Sequence, residues 1–143
     1  MLTYFRDPTY ELALSSGVLY SYVTYLAYIY GCSQLMIYHT LSLAISSVWF
    51  HSTKTEALFW IDQLVLNTWV PMFVYEAYLR HWMAVAICVL CILYSILIFY
   101  VGQAKRTFAY HPSRAVFIFF HMSVHVFSAM VAIFIVTFFP VPK

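Results

Sequence analysis

The sequence predicts an all-α integral membrane protein, a single domain built as a compact bundle of about five transmembrane helices. Its 143 residues are 64% hydrophobic and only 8% charged, whereas an average soluble domain is about 45–50% apolar and about 25% charged. So few charges could not cover the surface of a water-soluble protein of this length. Apolar segments of about 20 residues, the length that crosses a bilayer, account for most of residues 1–143.

The five predicted spans are separated by short polar or turn-forming sequences. Gly31 follows the first span, and Thr55 is a candidate N-cap in front of the third. A polar stretch at 102–113 precedes the last span, which Pro140 ends. The spans cover residues 12–30, 34–51, 56–78, 83–101 and 114–139.

Cationic residues are unevenly distributed between the two sides of such a bundle. One side holds five of them, and the other holds only Arg80 and Lys143. Because cytoplasmic loops carry an excess of Lys and Arg, the first side is predicted to face the cytoplasm or its equivalent in an organelle. The amino terminus lies on this basic side, whose five cations are Arg6, Lys54, Lys105, Arg106 and Arg114.

Charge and cysteine usage exclude several other classes of protein. The net charge is only +2 and no basic stripe is present, which argues against a nucleic acid partner. The polar segment before residue 12 is unlike the start of a signal peptide, so the first span is expected to be retained. The three cysteines imply no complete disulfide framework, and Cys88 and Cys91 are interpreted as packing residues in a bilayer helix.

Five chemically active side chains interrupt the apolar spans: Ser47, His51, Asp62, His121 and His125. Ionisable residues in hydrocarbon are costly and mark functional sites or interhelical partners. Residues four apart share a helix face, so the serine–histidine pair and the histidine–histidine pair each project together. At about 1.5 Å of rise per residue, all five groups lie roughly 4–16 Å from the basic membrane face. They are therefore predicted to form one site in one leaflet.

The chemistry of these five side chains predicts a zinc centre. A catalytic zinc takes three protein ligands and leaves a fourth position for water, and His51, His121 and His125 are the predicted ligands. Bound zinc lowers the pKa of its water toward about 7, which makes hydroxide available at neutral pH. Asp62 is predicted to take the proton from this water or to orient a ligand. Ser47 is predicted to donate a hydrogen bond to the oxyanion of acyl transfer.

Structural roles for the same residues are the alternatives. Histidines in bilayer helices commonly form interhelical hydrogen bonds, and small hydroxyls such as Ser47 pack helices together. Asp62 has Gln63, Asn67 or a neighbouring helix as alternative partners. The whole chain is alternatively a non-catalytic subunit of a larger membrane complex that keeps the metal-site residues, or a haem protein with axial histidines.

The motifs resemble those of a superfamily of membrane hydrolases that includes the alkaline ceramidases and the progestin and adipoQ receptors. Its members share Ser-x-x-x-His near the end of the second helix, Asp in the third and His-x-x-x-His in the last. Here those residues are Ser47 with His51, Asp62, and His121 with His125. The resemblance implies that the three histidines bind zinc, that Asp62 acts on the metal-bound water and that Ser47 assists the oxyanion. It also favours a ceramide-like amide as the substrate.

The chain is shorter than the superfamily pattern, which has seven helices. The missing pair would fall between the Asp helix and the double-histidine helix, where this sequence has only the span 83–101. Such a bundle is expected to leave the metal cavity more open or to need a partner chain to close it. The sequence therefore predicts a zinc-dependent hydrolase of an amide or ester bond in a membrane lipid.

Overall fold

A computed structural model describes residues 7–140, and this part of the chain consists of helices and turns without strands. The long helices are α1 Tyr10–Ile29, α2 Gln34–Thr53, α3 Glu56–Arg80, α4 Trp82–Lys105 and α5 Arg114–Phe138. α4 contains a π-helical turn at Leu97–Val101, and a 3₁₀ turn at Phe108–Tyr110 precedes α5. The predicted all-α bundle is confirmed. Arg6 and Lys143 are two of the cations from which the orientation is predicted, and they lie outside the described residues.

Four of these helices, α1, α3, α4 and α5, are long and apolar enough to cross a membrane, as expected of a multi-pass membrane protein. α2 has the same length as α1 but carries more polar residues. Several of these polar residues point inward: Thr40, Ser47 and His51 are buried, whereas Tyr38 and Trp49 on the outer face are exposed. These buried polar groups face the bundle interior, as in other membrane helices, while Ser42 is exposed on the outer face.

Short turns set the boundaries of α1, α2 and α3. Gly31 has φ +66°, a left-handed conformation that glycine adopts without strain. The Ser33 hydroxyl caps α2 by accepting a hydrogen bond from the Met36 N–H at 3.2 Å. Lys54 ends α2 in the left-handed conformation. Thr55 occupies the predicted N-cap position of α3, but its hydroxyl makes no capping hydrogen bond. Such short connections make consecutive helices antiparallel neighbours.

The helices form a ring in which each contacts the next in the order α1, α2, α3, α4, α5 and back to α1. α1 and α2 approach closely at Gly17, where an added Cβ would lie 2.8 Å from Val48 Cγ2. Small residues such as glycine permit such an approach. The apolar core draws side chains from all of these helices. This order places α2 and α5, which carry the histidines, on either side of α1.

A buried arginine ties three parts of the bundle together where α3 ends. Arg80 donates to the backbone carbonyl of Phe139 at 2.7 Å and to Cys32 Sγ at 2.9 Å. One turn earlier, the Glu76 carboxylate accepts a hydrogen bond from the Ser33 N–H at 2.6 Å. Arg80 and Glu76 are both buried, so the end of α3 holds the α1–α2 turn and the end of α5 in place.

Replacing Arg80 with methionine is expected to lower the free energy of unfolding by about 2–3 kcal/mol, because hydrogen bonds from a buried cation are lost. Unfolding by SDS in mixed micelles, followed by circular dichroism, measures this change. Arg114→Met is the matched control: its 3.0 Å ion pair with Glu11 is about half exposed, and exposed pairs contribute about 0–1 kcal/mol. Equal destabilisation of the two variants would contradict the role assigned to Arg80.

Candidate metal centre

Three buried histidine side chains lie together between α2 and α5. The ring centroids of His51 and His121 are 4.9 Å apart, those of His51 and His125 5.6 Å, and those of His121 and His125 5.0 Å. Each residue offers one nitrogen, and these atoms all lie within 4.8 Å of one another. The three imidazoles, predicted to converge from the sequence spacing, thus lie close enough to bind one metal ion.

The helices place these imidazoles by simple geometry. His121 and His125 lie one turn apart on the buried face of α5, as residues four apart on a helix must. His51 lies in the last turn of α2, and its backbone carbonyl accepts a hydrogen bond from the Thr9 N–H at 2.8 Å. The start of α1 is therefore fixed against the end of α2, directly beside the histidine cluster.

A serine on α1 determines which nitrogen of His125 is free. The Ser15 hydroxyl donates to the Leu12 carbonyl at 3.0 Å, and its oxygen lies 3.1 Å from His125 Nδ1. A hydroxyl has only one proton to donate, so Ser15 accepts from His125 Nδ1–H. The other ring nitrogen, Nε2, is then unprotonated and available to a metal ion. A hydrogen bond of this kind fixes the tautomer and orientation of metal-ligating histidines.

His51 Nδ1 has two partners, Thr9 Oγ1 and Lys54 Nζ, each at 3.1 Å. An ammonium group only donates hydrogen bonds, whereas a threonine hydroxyl donates or accepts. Metal binding through His51 Nε2 therefore requires a proton on Nδ1 that is donated to Thr9, with the Lys54 amine neutral. Burial lowers the pKa of the Lys54 amino group to about 8, and the carboxylate of Asp62 opposes this shift.

Asp62 lies in the same region and is held by α2. It is buried, and it accepts a hydrogen bond from the Ser46 hydroxyl at 2.9 Å. Of the alternative partners considered from the sequence, Asn67 donates its side-chain amide to the backbone carbonyl of Gln63 at 2.7 Å, and the neighbouring helix α2 supplies the partner of Asp62. Asp62 is therefore an acid anchored across the α2–α3 contact.

A cavity of about 840 Å³ runs through this region, and side chains from all of the long helices line it. Asp62, Ser47, His121 and His125 are among the lining residues. His51 does not line the cavity and is only 1% exposed. The Ser47 hydroxyl makes no hydrogen bond with another residue in 7–140, so it is free to bond to a ligand in the cavity. The structure thus brings the three predicted histidine ligands together and places Ser47 and Asp62 in the wall of a cavity that His121 and His125 also line.

The side chains that hold this site in place were not predicted from the sequence; they are Thr9, Ser15, Ser46 and Lys54. Thr9 and Ser15 belong to the first helix region, and Ser15 is 110 residues from His125, so no local spacing connects them. Ser46 is adjacent to the predicted site residue Ser47, but adjacent residues point in different directions on a helix. Its position in the sequence therefore did not predict its bond to Asp62. These partners become visible only when the helices are packed.

Replacing Ser15 with alanine is expected to weaken metal binding about 10–100-fold, the usual effect of removing a hydrogen bond to a ligating histidine. Without Ser15 the imidazole of His125 loses the acceptor that holds the proton on Nδ1. Competition with a metal-sensitive dye measures the dissociation constant. Ser42→Ala is the matched control, because Ser42 is exposed and its hydroxyl donates to its own helix at the Tyr38 carbonyl. An unchanged dissociation constant in Ser15→Ala would contradict this assignment.

The fold and the site together define an all-α membrane protein with a buried candidate metal centre of three histidines. No family model matches the chain, and neither the curated proteins nor the solved structures contain a match.

Proposed function

We propose that this protein is a zinc-dependent intramembrane hydrolase that cleaves an amide or ester bond of a lipid. One observation carries the proposal: three buried imidazoles from α2 and α5 offer nitrogens within 4.8 Å of one another, beside a cavity lined by Asp62 and Ser47. The resemblance of these motifs to those of alkaline ceramidases and their relatives supports the same function and favours a ceramide-like substrate.

The donor atoms present fit zinc. Imidazole nitrogen suits zinc, copper, iron and nickel, but three protein ligands with one open position are typical of catalytic zinc. Ser15 keeps Nε2 of His125 free for this purpose. When bound, zinc supplies a Lewis acid and a water that is easily deprotonated at neutral pH. His51, His121 and His125 are the proposed ligands.

Asp62 and Ser47 are the proposed catalytic residues. One oxygen of Asp62 accepts the hydrogen bond from Ser46, which leaves the second oxygen to accept a proton from the attacking water. Asp62 then passes this proton to the leaving amine or alkoxide, so the carboxylate acts first as a base and then as an acid. The free hydroxyl of Ser47 donates to the oxyanion that forms from the substrate carbonyl.

The shape of the cavity supports a substrate that arrives from within the bilayer. Several residues that line the cavity are exposed on the outside of the bundle, among them Trp60 on α3 and Tyr100 on α4. The cavity therefore opens sideways between these two helices, and a membrane lipid can reach it without leaving the bilayer. The site is proposed to lie toward the cytoplasmic-equivalent side, because Lys54 and Arg114 mark that end of the bundle.

A non-catalytic subunit of a larger complex is the second candidate, and the same opening favours it. Lining residues on α3 and α4 are exposed, and the resembling superfamily has two further helices between its Asp helix and its double-histidine helix. A partner chain that covers this opening would complete the bundle, with the histidines as a structural metal site.

A haem site is disfavoured, because the three imidazoles contact one another and leave no space for a flat macrocycle between two of them.

Hydrolysis assays separate the two candidates. The full chain in lipid nanodiscs is supplied with ceramides, other N-acyl amides and glycerol esters, and the release of fatty acid is followed. The hydrolase proposal expects release that a chelator abolishes and added zinc restores. Stoichiometric zinc without release from any lipid would support the subunit, and absence of both zinc and release would overturn both candidates.

A further inference from the structure

The cavity extends along α3 and α4. Its lining extends from Phe59 to Phe73 on α3 and from Cys88 to Gln103 on α4. At about 1.5 Å per helical residue, the two stretches are about 21 Å and about 22 Å long. Phe73 and Cys88 lie at similar distances along the chain from the α3–α4 turn at His81, so they mark the same end of the cavity. Asp62 lies near the other end, about 16 Å from Phe73 along α3.

The two halves of the cavity differ in exposure. Four of the exposed lining residues, Trp60, Ile96, Tyr100 and Gln103, belong to the half that contains Asp62, and the fifth, Asn67, lies at the middle of the cavity. In the other half the lining side chains are buried or partly buried, including Val70, Cys91 and Ile92. A ligand can therefore enter from the side near the catalytic groups, whereas the distant half is an enclosed slot.

The enclosed slot is chemically suited to hydrocarbon. The polar side chains along it bond to other residues: the Asn67 amide donates to the Gln63 backbone carbonyl, the Ser95 hydroxyl donates to the Cys91 carbonyl at 3.0 Å, and the Tyr20 and Ser128 hydroxyls bond to each other at 2.7 Å. Each of these side chains therefore has at least one hydrogen-bond partner within the protein. The remaining walls are aliphatic, aromatic or thiol groups, and burying an apolar chain against such walls is favourable.

Packed side chains close the far end of the slot. Phe73 is 2% exposed and stacks on Trp69 with ring centroids 4.7 Å apart, and Cys88 is 1% exposed. Beyond them, Ala77 and Ala84 are fully buried where α3 and α4 approach their turn. A chain that enters from the Asp62 end therefore meets a floor formed by Phe73 and Cys88.

We propose that this slot measures the acyl chain of the substrate, with Phe73 and Cys88 as the floor that limits its length. The proposal rests on the proposed function, because it places the reacting carbonyl at Asp62. An extended backbone covers at most about 3.6 Å in three bonds, so an extended carbon chain covers about 1.2 Å per bond. The distance of about 16 Å from Asp62 to the floor then accommodates an acyl chain of roughly 14 carbons.

Two sets of measurements on the full chain in nanodiscs test the slot. Binding of free fatty acids of increasing length is measured by competition with a fluorescent fatty acid, and hydrolysis is measured on lipids that differ only in acyl length. Affinity is expected to rise about fourfold per added methylene and to stop rising near 14 carbons. Cys88→Phe is expected to shorten this limit by about three carbons, at about 1.2 Å per bond, and Phe73→Ala is expected to lengthen it.

Leu90→Phe is the matched control, since Leu90 lies on the same helix but is 62% exposed on its outer side. It should leave the limit unchanged. A limit that does not move in folded Cys88→Phe or Phe73→Ala, or no binding of fatty acids at all, would overturn the proposal. A length limit in binding without hydrolysis of any lipid would support the acyl-chain slot and count against the hydrolase function. Hydrolysis without a length limit would contradict the slot and leave the hydrolase function in place.

Discussion

Replacing His121 with alanine is expected to abolish zinc binding and hydrolysis together. The variant keeps only two of the three imidazoles that lie close enough to share an ion. Loss of a direct ligand should weaken binding by more than the roughly 100-fold that marks the loss of a hydrogen bond to a ligand. Elemental analysis of purified protein measures bound zinc, and fatty acid release from the lipid panel measures activity. His125→Ala is expected to behave in the same way.

His39→Ala is the matched control for this loss. His39 lies on α2 like His51, but its ring bonds to the Leu35 carbonyl of the same helix, at 3.1 Å. This variant should keep both zinc and activity. Circular dichroism and gel filtration of the His121 variant check that the bundle is still folded. A folded His121→Ala protein with full zinc content would show that the ion is bound elsewhere.

Replacing Asp62 with asparagine is expected to lower the rate of hydrolysis about 10²–10⁴-fold, the usual contribution of a general base. Asparagine has nearly the same shape and keeps an oxygen that accepts the Ser46 hydrogen bond, but it does not accept a proton. The three imidazoles are untouched, so zinc content should stay at the wild-type level. Single-turnover hydrolysis together with elemental analysis distinguishes the two effects.

Glu76→Gln provides the comparison for the acid. Glu76 is also a buried carboxylate on α3, but it lies at the other end of the helix and accepts from the Ser33 N–H. Its replacement should leave the rate of hydrolysis unchanged. If Asp62→Asn lost zinc together with activity, Asp62 would be a structural anchor of the metal site and not the proton acceptor. Unchanged hydrolysis would remove it from the mechanism.

The helices could be predicted from the sequence because apolar length and polar breaks determine them. The ends were less accurate: α4 was predicted to stop near residue 101, but its helix continues to Lys105. Hydropathy reports where a chain leaves the hydrocarbon, whereas backbone hydrogen bonding continues into the polar region until a residue such as Arg106 adopts the left-handed conformation. The two boundaries therefore differ by about one helical turn.

The histidine cluster could be predicted because one helix carries two imidazoles four residues apart, and this spacing alone fixes a common face. The surroundings of the cluster could not be predicted. Ser46 and Ser47 are adjacent, and only the position of α3 decides that Ser46 bonds to Asp62 while Ser47 faces the cavity. Ser15 acts on His125 through the packing of α1 against α5, which no local pattern encodes.

X-ray absorption spectroscopy of the purified wild-type protein tests the central claim most directly. The claim is that His51, His121 and His125 hold one zinc ion. The expected result is about one zinc per chain with three imidazole nitrogens at about 2.0–2.1 Å. Zinc with sulfur ligands at about 2.3 Å, which would implicate Cys88 and Cys91 in the cavity wall, or a protein that binds no zinc, would contradict it.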